Sequence, residues 1–260
     1  LAAAAALGCS GGAGRPPEPL RLLETLVPVR PPAAGAPLLL VGRWEVCRRD
    51  LDPSSPDEVS DLPATGLDRG EAAAWAAARG FRLPTLAEWR HLAGDGPVSG
   101  SRLPSLAANT LDLGLGQPLP VGVFELGRTA DGLYDLDGNV WEWVADEAPA
   151  PFGLPPRALA CGGSFASLAR IGHAGRGAVR LLEPGERADD LGFRLVTEAA
   201  SWLRDWIEPL WSSARWRNRI AAAFAGWPAE LRERLAAELA RVGASESFRA
   251  AVAGGGPTGR

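Results

Sequence analysis

Hydrophobic positions along this chain follow two styles. Between residues 37 and 198 the apolar runs are short and broken by Gly, Pro and Asp. PLLLVGRWEVC, VWEWVA, ALACGGSF and GFRLV each have the length and composition of a strand. Two stretches in this region carry helical signals instead. Residues 68–79 run through an alanine series with Trp75 after Gly70 near the start. The second opens at Pro84 and Thr85, where Thr85 suits an N-cap and Glu88, three residues on, completes a capping box. From residue 199 the period lengthens to that of a helix. Trp202, Trp206, Leu210 and Trp211 fall at helical spacing, with Pro209 predicting a kink or restart between them. GWPAELRERLAAELARVG starts with Pro228 in its first turn and aligns Leu231, Leu235, Leu239 and Val242 in one stripe. Glu230 and Arg234 are spaced to pair, and Gly243 ends the helix.

These patterns predict three zones. Residues 1–36 read as a leader and a Pro/Gly linker, 37–198 as an irregular α+β domain, and 199–260 as a Trp-rich helical hairpin appended to it. The hairpin's tryptophans are expected to pack on the protein's own domain, since exposed together they would form an unusually large apolar patch. At 46% hydrophobic and 22% charged residues the chain is globular. Its formal net charge of -4, with scattered arginines and no lysine, leaves no footprint for nucleic acid. The opening LAAAAALGCSGG is too short an apolar run to span a bilayer. It resembles the end of a secretory signal leading into the lipobox of bacterial lipoproteins, with Cys9 as the acylated residue. The SGGAGRPPEP that follows suits a tether. The expected location is therefore the bacterial cell envelope, with a lipid anchor at Cys9.

Candidate chemistry concentrates in GLYDLDGNVWEWVAD, residues 132–146. An EF-hand needs glycine at its sixth loop position and a bidentate glutamate at its twelfth. Here Gly138 falls fourth and Glu142 eighth counting from Asp135, which excludes that motif. Asp135 and Glu142 can still flank carbonyls exposed by the turn, the oxygen chemistry that calcium prefers. His91 and His173 are the only histidines; His91 is expected to pack like an aromatic residue. Ser164 or Ser167 with His173 lacks a nucleophile-elbow context. Arg170, His173 and Arg176 are candidates to line a groove for an acidic or sugar ligand. Cys47 and Cys161 fit either a disulfide or two buried thiols.

FRLPTLAEWRHLAG, ANT, PVGVFELGRTADGLYDLDGNVWEWVAD, CGGSF and DDLGFRLV appear in order. Together they resemble the formylglycine-generating enzyme family, the sulfatase-modifying factors, over roughly residues 40 to 198; GRWEVC resembles one of its strands. The resemblance implies the family's irregular variant of the C-type lectin-like fold. It also implies one structural calcium held by Asp135, the carbonyls of Gly138 and Val140, and Glu142. A second, weaker calcium site would use Asn109, Thr110 and Asp112. Arg180 corresponds to a family arginine with a structural pairing role. In the family two cysteines hold the copper(I) ion with which oxygen oxidises a substrate cysteine; the corresponding positions here are Ser167 and Gly172. A hydroxyl and a hydrogen are no ligands for a soft cation, so copper and formylglycine synthesis are not expected. The expectation is a pseudoenzyme that binds or scaffolds, with an envelope protein or a glycan as partner. The alternative is an oxidoreductase of the formylglycine-generating or non-haem iron superfamily working through other residues.

Overall fold

A computed structural model describes residues 15–94, 107–150, 153–168, 175–183 and 185–254 of the chain, with Gly175 and Arg176 described by their backbone alone. The chain folds as two compact units, residues 41–196 and the two flanking segments 1–40 and 197–260. Helix α1 (Glu18–Leu23) and strand β1 (Leu26–Val29) precede β2 (Leu39–Gly42). The expected linker is thus folded from residue 18. Leu20, Leu22 and Leu23 of α1 and all four residues of β1 are buried. Proline density concealed this. Pro17 and Pro19 sit at the start of α1, where no amide donor is needed. Pro28 sits in an edge strand, since β1 pairs with β2, and β2 in turn with β7 (Val196–Glu198), in a three-stranded sheet.

The unit of residues 41–196 holds helices α2 (Arg48–Leu51), α3 (Asp57–Ser60), α4 (Arg69–Ala77) and α5 (Leu86–Ala93). Its strands are β3 (Trp141–Ala148), β4 (Arg157–Gly162), β5 (Gly175–Leu182) and β6 (Leu191–Phe193). The sheet order is β5-β4-β3-β6, with β3 antiparallel to β4 and parallel to β6. The central position of β3 explains why Trp141 to Val144 are all buried, with alternation appearing only beyond them. Both helical signals of the sequence are present. Asp68 and Glu71 box the start of α4. At α5 the Glu88 amide donates to Thr85 Oγ1 at 3.1 Å and the Thr85 amide to Glu88 Oε2 at 2.8 Å. Strand β5 lacked a sequence signal, because two glycines and two arginines interrupt its apolar positions.

The chain then forms β7 (Val196–Glu198), α6 (Ala199–Trp202), a π-helical turn (Leu203–Ile207), α7 (Glu208–Trp211), α8 (Ala214–Ala225), α9 (Ala229–Arg241) and α10 (Glu246–Gly254). Pro209 falls in the first turn of α7, and the wide turn before it marks the restart. Leu231, Leu235 and Leu239 are buried as their stripe predicts, and α10 packs beside α9. Phe224, Trp227 and Phe248 form an aromatic core, with centroids 5.0 and 5.9 Å apart. The apolar faces of these helices meet the N-terminal segment: Trp227 Nε1 donates to Leu26 O at 3.2 Å. Glu230 and Arg234 do not pair with each other. Glu230 meets Arg30, while Arg234 Nε reaches Glu238 at 3.0 Å. Glu238 is buried and its other oxygen accepts from the Leu38 amide at 2.9 Å, so the stronger carboxylate partner lies one turn further on.

Candidate functional site

The turn before β3 is held in a conformation few residues adopt. Asp135, Gly138 and Asn139 all have left-handed backbones, with φ of 59°, 80° and 56°. Only glycine fits at 138, because a Cβ there would lie 2.3 Å from Asn109 O. Asn139 then acts as an internal brace. Its amide donates to Asn109 O at 2.7 Å, and its carbonyl accepts from the Phe165 amide at 2.9 Å. Its side-chain oxygen accepts from Asn109 Nδ2 at 3.1 Å and Leu119 N at 3.0 Å, while Nδ2 donates to Glu45 Oε1 at 3.1 Å. Asn109 therefore sits against the first turn, with its own Oδ1 buried and without a hydrogen bond. Thr110 is buried beside it, whereas Asp112 lies exposed on a short 3-10 turn.

Glu142 enters the interior from β3 and is fully buried. Arg194, also fully buried, donates from Nη2 to Glu142 Oε1 at 2.5 Å and from Nε to Oε2 at 3.1 Å. Trp89 Nε1 of α5 adds a bond to Oε2 at 2.8 Å. Arg194 further donates to Gly42 O at 2.9 Å and Tyr134 O at 2.8 Å, tying β2, the turn and β3 into one network. Burial opposes the charge on Arg194, but the contact with Glu142 outweighs it and keeps the guanidinium strongly protonated.

Two further carboxyls share this interior. Glu45 is fully buried, and its Oε2 has no hydrogen-bond partner. Burial, then Asp135 and Glu142, push its carboxyl well above the usual carboxylate range. Asp135 accepts from the Gly122 amide at 2.6 Å, yet burial pushes its carboxyl up to about 6. Glu142 bonds the Arg194 guanidinium, whereas burial opposes the charge on Glu45 and Asp135, and an additional positive charge would relieve them. No group of three His, Cys, Asp or Glu side chains among the described residues is arranged to hold a metal. The oxygen-only donors and the orphaned Glu45 Oε2 fit a hard cation, provided that main-chain carbonyls supply part of the shell. Glu142 would have to share its oxygens with Arg194. Glu45 was missed from sequence, where the charged residue inside GRWEVC was the available signal.

Ser167 and Gly172 are the positions that the family resemblance matches to copper-binding cysteines. Ser167 Oγ accepts from the Ser164 amide at 3.1 Å and lies 3.3 Å from Ser164 Oγ. Ser164 is buried and donates to Asp190 at 2.8 Å. Arg180 spans Glu186 at 2.9 Å and Asp190 at 3.4 Å, the pairing role expected of it. Gly172, Arg170 and His173 lie outside the described residues, as does Cys9, and the side chain of Arg176 is not described. His91 is exposed on α5 rather than packed, because the buried face of that helix is taken by Trp89 and Leu92. Cys47 and Cys161 are separate buried free thiols, not a disulfide; burial pushes the Cys161 thiol up to about 12.

The family model described as the sulfatase-modifying factor enzyme 1-like domain matches residues 43–199. The chain is 33% identical over 161 residues to the mouse (Mus musculus) protein named inactive C-alpha-formylglycine-generating enzyme 2, covering 55% of this chain and 51% of that protein. It is 37% identical over 93 residues to hercynine oxygenase of Mycolicibacterium smegmatis, covering 33% of this chain and 22% of the relative. The chain thus spans about half the length, or less, of these curated relatives. Among solved structures, PvdO from Pseudomonas aeruginosa superposes with a TM-score of 0.51 at 21% identity, covering 62% of this chain and 80% of that one. CarF gives 0.51 at 22% identity, covering 62% and 86%. These structural likenesses establish the shared fold.

Proposed function

The chain belongs to the sulfatase-modifying factor enzyme 1-like domain family, and within it we propose a binding or scaffold module that does not make formylglycine. What supports this is Ser167, which the family resemblance matches to one copper-cysteine position; its hydroxyl is held in the Ser164 turn. An alcohol offers a soft cation none of the affinity of a thiolate. The mouse relative named as inactive supports the same reading. Its setting is the bacterial envelope, with a lipid anchor at Cys9 and an envelope protein or glycan as partner. Purified protein, copper(I) and a peptide carrying Cys-x-Pro-x-Arg are expected to yield no aldehyde by mass spectrometry. Stoichiometric, oxygen-dependent aldehyde would overturn the proposal.

The hercynine oxygenase likeness favours a second reading, oxidoreductase chemistry through other residues. Oxygen uptake by the iron(II)-loaded protein above a metal-free control would support it over the first.

A structural calcium belongs to the first reading, with Asp135, the carbonyls of Gly138 and Val140, and Glu142 as its ligands. Support comes from the surplus of buried carboxyls and from the left-handed turn. Calorimetry is expected to show one calcium bound, and chelation to lower the melting temperature. Asp135→Asn is the informative variant, because altering Glu142 would strand Arg194 in the interior. An unchanged melting temperature in chelator removes calcium from the proposal.

A further inference from the structure

The unit built from the two flanking segments contains a cavity of about 380 Å³. Its lining comes from the stretch before β2, the junction of β7 with α6, and the C-terminal half of α9. Pro37, Ala200, Ala237 and Val242 supply apolar surface, and Ser201 a hydroxyl. Two acids and two bases complete it, and they are employed differently. Arg234 and Glu238 are spent within the fold. Arg234 Nε donates to Glu238 Oε1 at 3.0 Å and Nη2 to Ala36 O at 2.5 Å, while Glu238 Oε2 accepts from the Leu38 amide at 2.9 Å. They form a fixed and internally neutral part of the wall. Glu198 and Arg241 also line the cavity, and both are exposed. Among the described residues neither of these two side chains has an ion pair or a hydrogen bond.

We propose that this cavity binds a short peptide as a zwitterion, with Arg241 on its carboxylate and Glu198 on its terminal ammonium. One uncommitted cation and one uncommitted anion on a shared concave surface complement a ligand that carries both charges. A purely anionic ligand would meet Glu198 with like charge, and a purely cationic one would meet Arg241. The planar guanidinium suits a carboxylate, which it can hold through two parallel bonds. The Ser201 hydroxyl can donate to or accept from a peptide group. Size separates a peptide from a free amino acid. The volume has room for about a dozen waters at roughly 30 Å³ each, so a single small amino acid would leave much of it wet. Alanines in the lining admit a ligand backbone with small side chains and leave little room for a large one. The α9 residues of this cavity lie beyond residues 43–199, the stretch that the family model matches. The site is therefore additional to the calcium turn and to Ser167, both of which belong to the other unit.

The test uses the full chain and three probes: alanyl-alanine, N-acetyl-alanyl-alanine and alanyl-alanine amide. Calorimetry is expected to show one site for alanyl-alanine, and binding should raise the melting temperature. Each capped probe lacks one charge and is expected to bind about tenfold more weakly. Arg241→Gln and Glu198→Gln should each weaken alanyl-alanine by a similar factor. Both side chains are exposed, so the melting temperature without peptide should not change. In Glu198→Gln the N-acetyl probe should bind as well as the free peptide, because the charge it lacks no longer has a partner. Absence of binding at millimolar alanyl-alanine overturns the proposal, as does equal affinity of the parent for free and capped probes. Affinity for free alanine equal to that for alanyl-alanine would overturn the peptide assignment. If both single variants lower the melting temperature without peptide, Glu198 and Arg241 serve each other rather than a ligand, and the proposal falls.

Discussion

In the unit of residues 41–196 the carboxyls of Glu45, Asp135, Asp137 and Glu142 and the guanidinium of Arg194 are buried, and the side chains of Asn109 and Asn139 bond to loop backbone. In the helical unit the interior is Phe224, Trp227, Phe248 and the leucine stripe of α9, with Glu238 as its buried acid. The contrast follows from backbone chemistry. A helix satisfies its own amides and carbonyls, so its side chains are free to be apolar. Loops that line an interior leave backbone groups without a ladder, and buried polar side chains must supply the partners. The loop-rich unit therefore depends on a few irreplaceable polar contacts, while the helical unit distributes its stability over apolar packing.

The sharpest way to break this comparison is Arg194→Met. It leaves Glu142 buried beside two other carboxyls, and the expected loss is about 3–5 kcal/mol by urea denaturation. Adding Glu142→Leu should restore part of that, because the stranded charge goes with its partner. A single variant within about 1 kcal/mol of the parent would show that the network is dispensable. Phe248→Ala probes the other unit. A cavity among Phe224 and Trp211 should cost about 3 kcal/mol and lower the helical circular dichroism at a given urea concentration. Glu238→Ala tests the exception within the helical unit. It leaves the Leu38 amide unpaired, for an expected loss of about 2 kcal/mol. Arg219→Ala removes the bidentate pair with Glu24 at the surface, and its effect should stay within about 0.5 kcal/mol. If that surface pair rivalled Arg194, the distinction between the two units would fail.

Local signals carried most of what was legible before the structure. Thr85 and Glu88 announced α5, and Leu231, Leu235 and Leu239 announced the buried face of α9, because both depend on residues within a few positions. α1 and β1 were hidden, since prolines at a helix start and in an edge strand look the same as prolines in a linker. α10 carried no recognised signal, and Glu230 with Arg234 showed that correct spacing does not select a partner when a buried carboxylate competes.

The site divides along the same line. By itself the sequence determined the Gly138–Asn139 turn and the entry of Glu142 into a strand, each a property of residue type at a position. Tertiary structure alone decided that Glu142 meets Arg194, 52 residues away, and that Glu45 reaches Asn139, 94 residues away. It also decided that Asn109 lies against the first turn. The physical reason is that spacing encodes only what the backbone repeats. A buried charge acquires its partner from whichever distant segment the fold brings within hydrogen-bond reach.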